Sequence, residues 1–229
     1  QGWRDCRARR PNGAGKTTIF NLISGLDTPD SGAVYFRRQY VTRMPAHKIV
    51  SLGIGRTFQN TRLLGHLTVL DNVKMAYHGQ IEYGLLHAAL RLPRFHRVER
   101  DIATKSAQFL DLVGLGPMAE RRAGSLPYGQ RRKLELVRAL ATGASLLLLD
   151  EPAAGLNPHE TSELAGIIRL IRDDFDVTIL LIEHDMSMVM SLCERIVVIN
   201  FGKVIAQGTP EQVRNDDLVI EAYLGRRKT

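Results

Sequence analysis

A chain of 229 residues, 44% hydrophobic and 24% charged, has an ordinary globular balance that allows one large core or two small domains. No run of 18 apolar residues occurs and no charged stretch followed by an apolar one opens the chain, so nothing is expected to span a membrane or direct export, and a cytosolic location follows. Thirty-one Lys+Arg against 24 Asp+Glu leave +7, which suits nucleic acid, an anionic membrane surface or a plain basic protein, while Cys6 and Cys193 have neither metal-ligand spacing nor the number for a disulfide framework.

The first segment that carries chemistry is Asn12-Gly13-Ala14-Gly15-Lys16-Thr17-Thr18. It matches the end of the phosphate-binding pattern G-x-x-x-x-G-K-[ST], with Arg10 where the pattern has its first glycine. Such a loop wraps phosphates in backbone N–H groups at a helix N-terminus, and a lysine and a hydroxyl add charge and a metal ligand. A glycine-rich turn before an ordinary helix would look similar.

Ile19, Phe20 and Ile23 then give a short helix an apolar face, and Gly25 is placed to end it. Residues 29–32 read as a turn and 33–36 as a strand; 45–51 reads as a helix opened by Pro45 and closed near Gly53, and 54–58 as an extended run. From about 72 to 124 the texture changes to helix formers, with helical spacing at Ile102, Phe109, Leu112 and Val113, which predicts a helical subdomain. Two apolar runs follow, 146–149 ending in Asp150-Glu151 and 177–182 ending in Glu183-His184. Both read as buried parallel strands, and Leu164, Ile167, Ile168 and Ile171 line a helix between them, the crossover unit of a parallel sheet. Residues 196–199 and 203–206, joined through Asn200-Phe201-Gly202, read as further strands, with a last helix over 216–224.

Ligands of open parallel sheets sit at the carboxyl ends of the strands. Asp150 and Glu151 would therefore project toward the loop's phosphates, Asp150 to hold magnesium through water and Glu151 to polarise the attacking water. The same pair also reads as an acidic cap after a core strand. His184 at the next strand end and Gln59 after 54–58 have equally plain readings as a structural histidine and a polar strand terminus.

The features gain weight from their order: phosphate loop, glutamine after a strand, Leu126-Pro127-Tyr128-Gly129-Gln130, Asp-Glu after four leucines, and a histidine 33 residues after Glu151. In that order, over residues 11–229, the chain resembles the ATP-binding subunit of ABC transporters. Within that family, 45–49, 56–63, 128–130, 152–158 and 209–211 look like the branched-chain amino acid importer ATPases of the LivG type.

The resemblance implies an α/β P-loop NTPase fold, a RecA-like parallel sheet core at 11–71 and 143–229 with a helical ABC subdomain at about 72–142 that carries the signature motif 126–130. It implies ATP and Mg2+ as ligands. Lys16 would take the β- and γ-phosphates, Thr17 and Asp150 the magnesium, Gln59 the magnesium and the permease signal, Glu151 the role of base and His184 that of γ-phosphate sensor. Its implied partners are transmembrane permease subunits, a second ABC ATPase subunit in a head-to-tail dimer and, indirectly, a solute-binding protein, which puts the chain on the inner face of the cell membrane. Nucleic acid is not expected as a partner.

Two departures stand out. Pro127 replaces the signature serine, so neither a hydroxyl nor an N–H is available to the partner's γ-phosphate, a loss of about 1–3 kcal/mol if the oxygen goes unpaired. Gly129 and the start of the helix over 131–141 can still contribute donors, and most of Arg131, Glu135 and Arg138 along one side of that helix read as a solvated face. The second departure is the opening. Family members begin with an aromatic residue that stacks on adenine and with strands leading into the loop, whereas residues 1–10 offer no apolar strand, and Arg7, Arg9 and Arg10 in a buried strand would cost several kcal/mol each.

Codon arithmetic accounts for that opening. A one-base shift within the codons for residues 3–10 forces glycine from Trp3, isoleucine or threonine from Asp5 and valine or alanine from Cys6. It permits the peptide GEIVALVG, running into Pro11 with the form of the absent turn, strand and first loop glycine. The expectation is an out-of-frame segment with more lost before it, N-terminal strands missing or corrupted, and Arg4, Arg7, Arg9 and Arg10 artefactual, which weakens the charge argument for nucleic acid. Two alternatives stay open: a soluble ABC-type ATPase acting on nucleic acid, disfavoured by the short subdomain without a coiled-coil or zinc insertion, and a hydrolysis-deficient subunit whose phosphate loop is incomplete.

Overall fold

The computed structural model describes residues 5–9, 15–57, 63–80 and 93–224. In chain order these form β1 (Asp5–Arg9), α1 (Lys16–Ile23), β2 (Tyr35–Phe36), β3 (Gln39–Tyr40), α2 (Ala46–Ser51) and β4 (Ile54–Arg56). Next come α3 (Val69–Lys74), α4 (Pro93–Leu112), α5 (Tyr128–Ala141), β5 (Leu146–Asp150), α6 (Pro158–Asp174) and β6 (Thr178–Ile182). The last elements are α7 (Met186–Leu192), β7 (Ile196–Asn200), β8 (Lys203–Gly208), α8 (Pro210–Arg214) and α9 (Asp217–Leu224). The chain divides into two compact units, residues 1–59 with 145–229, and residues 60–144.

The first unit is built on a six-stranded sheet in the order β4-β5-β6-β1-β7-β8. β4, β5, β6, β1 and β7 run parallel, and β8 returns antiparallel to β7. Leu147, Leu148 and Leu149 are fully buried, so β5 has both faces covered, which is why four consecutive leucines form a strand without alternation. Leu164, Ile168 and Ile171 of α6 are buried along one stripe, and Asn157 caps that helix in a reciprocal capping box with Glu160. α1 is held by Phe20, which packs with Ile49, Ile54, Leu148 and Ile182. Gly25 follows it at φ +69, where a Cβ would lie 2.6 Å from the Met44 carbonyl oxygen, so only glycine fits the turn.

In the second unit α3 packs on α4 and α5, with Val69, Val73, Leu110, Leu115, Leu134 and Val137 buried. Thr68 caps α3 by accepting from the Asp71 N–H. Asn72, fully buried, accepts from the Leu64 N–H and donates to the carbonyls of Leu64 and Thr68. One amide thus satisfies the backbone of the loop that leads into the helix.

Several sequence expectations shift. The strand expected at 33–36 is the two-residue β2, paired with β3 across Arg37 and Arg38, whose φ values of 48° and 66° make a tight turn without the Asn or Gly that usually marks one. On α4 the most buried positions are Ser106 and Leu110, with Ile102 also buried and Val113 buried in the turn that follows, whereas Phe109 and Leu112 lie at the edge of the stripe. α8 is an element the hydrophobic pattern missed; its signal was Thr209 with Gln212, a capping box opened by Pro210.

The larger correction concerns the opening. Residues 1–10 do supply a strand: β1 lies between β6 and β7, in parallel register from Asp5↔Ile179 to Ala8↔Ile182 on one side and at Ala8↔Val197 and Arg9↔Val198 on the other. Ladder hydrogen bonds are made by backbone groups, so the slot between two parallel strands is filled whatever side chains the segment carries. β1 is thus a central strand of the sheet, and Arg7 and Arg9 belong to it. Replacing both by valine is expected to stabilise the chain by roughly 2 kcal/mol or more in urea unfolding; an unchanged or lower midpoint would show that the sheet accommodates both charges.

Candidate functional site

The phosphate loop enters α1 at Gly15, whose left-handed backbone, φ 85°, caps the helix without a side-chain hydrogen bond. Lys16 begins the helix, and Thr17 and Thr18 are exposed on its first turn. The free N–H groups of such a turn are donors for an anion. Asn12, Gly13, Ala14 and Gln59 lie outside the described residues.

The in-register pairing of β5 with β6, Asp150 opposite Ile182, sets two acidic groups at one edge of the sheet. Asp150 is 3% exposed, and its Oδ2 is 3.5 Å from an Arg56 guanidinium nitrogen. Burial pushes its carboxyl above the ordinary range, against the opposing pull of Arg56. Arg56 comes from β4 and also donates to Asn21 Oδ1 at 2.9 Å and Ser24 Oγ at 2.8 Å, both on the α1 side, with its guanidinium 5.6 Å from the centre of the Phe20 ring. It therefore ties the phosphate-loop helix to the end of β5.

Glu151 follows with φ 46°, a left-handed conformation that is uncommon for a residue with a side chain and is found at sites where geometry outweighs local strain. Its N–H donates to the Ile182 carbonyl at 2.8 Å, which turns the chain off β5. The carboxylate reaches Lys16 Nζ at 3.4 Å through Oε1, and Oε2 lies 3.9 Å from His184 Nδ1. The structure thus brings Lys16, Glu151 and His184, predicted from three separate motifs, into one group, with Asp150 adjoining Glu151 in the chain.

Glu183 was not singled out from the sequence. It is 1% exposed and accepts backbone N–H bonds from Ala153 and His184, each at 2.9 Å, and from Asp185 at 3.3 Å. One buried carboxylate thereby joins the loop after Glu151 to the loop that carries His184. A run of apolar residues ending in Glu-His draws the eye to the histidine, and nothing local marks the glutamate as the inward-facing one.

The signature residues belong to the other unit. Leu126 is buried, Pro127 is the N-cap of α5, Tyr128 is exposed, Gly129 is buried and Gln130 is half-buried. The loop before α5 is secured by Arg131, which donates to the carbonyls of Leu126 at 2.7 Å and Gly124 at 2.8 Å. The solvated face expected at Arg131, Glu135 and Arg138 is corrected: Glu135 is 7% exposed and paired at 3.1 Å with the equally buried Arg132, and burial lowers the Arg138 pKa against the pull of Glu135. A carboxylate can sit on this side because the preceding turn supplies the Arg132 guanidinium, which also donates to the Tyr128 hydroxyl at 2.6 Å.

No group of three or more His, Cys, Asp or Glu side chains able to cage a metal occurs among the described residues. A buried carboxylate on β5 and a threonine hydroxyl at a phosphate loop suit magnesium, which binds hard oxygens and takes most of its shell from water and substrate phosphates.

If Glu183 positions both loops, Glu183→Gln should lower stability by about 1–3 kcal/mol in urea unfolding, because an amide turns one acceptor into a donor facing backbone N–H groups; a wild-type midpoint would deny the carboxylate that role. Among known proteins, the chain matches the ABC transporter family over residues 11–154 and the branched-chain amino acid ATP-binding cassette transporter family over 203–229. It is 46% identical over 215 residues to the high-affinity branched-chain amino acid transport ATP-binding protein LivG of Escherichia coli K12, covering 94% of this chain and 84% of that protein. Identity and coverage are the same for the corresponding protein BraF of Pseudomonas aeruginosa, 46%, 94% and 84%. The fold superposes with a TM-score of 0.82 and 30% identity on MJ1267, an ATP-binding cassette of an ABC transporter, over 97% of this chain and 88% of that one. These matches run over the phosphate-loop lysine and the acidic end of β5, and by them the chain belongs to the ABC transporter ATP-binding proteins.

Proposed function

We propose that this chain binds ATP with Mg2+ and hydrolyses it to drive the import of branched-chain or related amino acids. The observation that carries the reading is the Glu151 carboxylate set between Lys16 at 3.4 Å and His184 at 3.9 Å. A phosphate-binding cation, a base and a second polar group for the γ-phosphate converge there. The names of LivG and BraF support the solute class.

In this reading Asn12 to Thr18 wrap the β- and γ-phosphates, with Lys16 supplying charge. Thr17, Asp150 and Gln59 hold the metal, which when bound offsets charge on the phosphate oxygens. Glu151 takes a proton from water as the water oxygen bonds to the γ-phosphorus and the bond to the β–γ bridging oxygen breaks, releasing ADP. His184 hydrogen-bonds the γ-phosphate, and Glu183 keeps its loop in register with the one after Glu151. Arg56 fixes Asp150 relative to the helix that carries the phosphates.

The domain reading assigns 11–71 and 143–229 to the nucleotide core and about 72–142 to the subdomain that, with Gln59, meets the permease. Residues 126–130 would complete the nucleotide site of a second ABC subunit in a head-to-tail dimer, and a solute-binding protein would deliver the amino acid from the far side. Among the described residues no helix is long and apolar enough to cross a membrane, so attachment to the inner membrane face would run through the permease. Residues 1–10 are read as an out-of-frame segment, of which 5–9 fill the β1 slot, and the gene's own bases decide that point.

Glu151→Gln is expected to leave ATP binding intact and lower turnover at least a hundredfold, within the range of about 10²–10⁴ typical of general bases, trapping an ATP-bound dimer detectable by size-exclusion chromatography. Turnover near wild type would remove Glu151 from the role of base. Pro127→Ser restores an N–H and a side-chain cap to α5, whose N-cap now makes no side-chain hydrogen bond; the ATPase rate of the assembled complex should rise or stay unchanged, and a clear fall would refute the assignment of Pro127 to the partner's site.

A further inference from the structure

The turn between β7 and β8 carries a side chain that neither the core nor the hydrolytic group uses. Phe201 at its tip is 85% exposed and its backbone has φ 43°, followed by Gly202 at φ 75°. Two successive left-handed residues are what a tight hairpin turn requires, and Asn, Asp or Gly usually fill them. A phenylalanine there is disfavoured by its backbone and by its contact with water, and no core packing offsets either cost.

The position of the tip suggests what the ring is for. β7 runs parallel to β1, so its carboxyl end opens on the same edge of the sheet as the phosphate loop. The Gly202 Cα lies 3.9 Å from the point where a Cβ on Gly15 would stand, so the tip sits against the last glycine of that loop. β5 and β6, with Asp150, Glu151 and His184 at or just beyond their ends, lie on one side of β1, and β7 and β8 lie on the other. A triphosphate whose terminal phosphorus faces Glu151 therefore extends its nucleoside end across β1 toward β7, with neighbouring strands about 4.8 Å apart.

We propose that Phe201 is a base-contacting residue, offering its ring face to the purine of the bound nucleoside triphosphate. This rests on the nucleotide site described above and adds a contact to it. Purine and phenyl faces stack when both are offered edge-free to each other, and the flat ring loses little conformational freedom on doing so.

The test compares the 229-residue chain with Phe201→Asn, which keeps a residue suited to the turn, and with Phe201→Trp. Each is titrated calorimetrically with Mg-ATP and with Mg-tripolyphosphate, which lacks a base. Phe201→Asn should weaken ATP by about five- to tenfold and leave tripolyphosphate unchanged. Phe201→Trp should keep the affinity for ATP and change its tryptophan emission with ATP but not with tripolyphosphate. Wild-type ATP affinity in Phe201→Asn, or an equal loss for both ligands, would overturn the base contact while leaving the nucleotide site standing. Failure of the wild-type chain to bind either ligand would overturn the site and the contact with it.

Discussion

Parallel pairing of β5 with β6, in register up to Asp150 opposite Ile182, is the constraint on which the site depends. It carries two buried apolar runs to the same edge and leaves the polar residues after each run facing the loop that enters α1. The pairing does not stop at the ladder: the Ile182 carbonyl also accepts from the Glu151 N–H at 2.8 Å, and this bond bends Glu151 into the left-handed conformation from which it reaches Lys16. A strained residue at the end of a fully buried strand is held there because the strand itself cannot move.

Around that edge, buried charges are used as joints. Arg56 links β4, α1 and Asp150, and Glu183 gathers three backbone N–H groups from two loops. Charge-assisted hydrogen bonds in a water-poor setting are strong and directional, so each joint limits how far its loops can drift. The second unit follows the same rule, with Arg132 paired to Glu135 beneath the signature segment and Asn72 saturating the loop before α3. Removing one member of such a joint leaves its partner buried and unpaired, the reason these residues matter out of proportion to their number.

The readable and unreadable parts of the sequence differ by the range of the information they needed. β5, β6 and α6 were legible because a fully apolar run and a one-faced helical stripe report burial directly. The hairpin of β2 and β3 was not, since its turn residues are arginines in a conformation set by the strands around them. The helix face at Arg131, Glu135 and Arg138 was misjudged because charge alone predicts solvent, and only the neighbouring turn shows that Arg132 follows Glu135 inside. β1 shows the converse: a segment with no apolar pattern occupies a central place because backbone donors and acceptors on both sides leave one slot to fill.

By itself the sequence determined the chemistry: a lysine after glycines, acids after an apolar run and a histidine after the next, in an order that marks the family, because such motifs are local and their residue types are dictated by the groups they bind. Tertiary structure decided which of those groups meet. It set Glu151 between Lys16 and His184, turned Arg56 and Glu183 into joints, and placed Phe201 on the far side of β1 from Asp150 and Glu151. Strand order and register fix those distances, and they arise from pairings between segments far apart in the chain, such as Asp5 with Ile179 and Ile54 with Leu146, which no local pattern encodes.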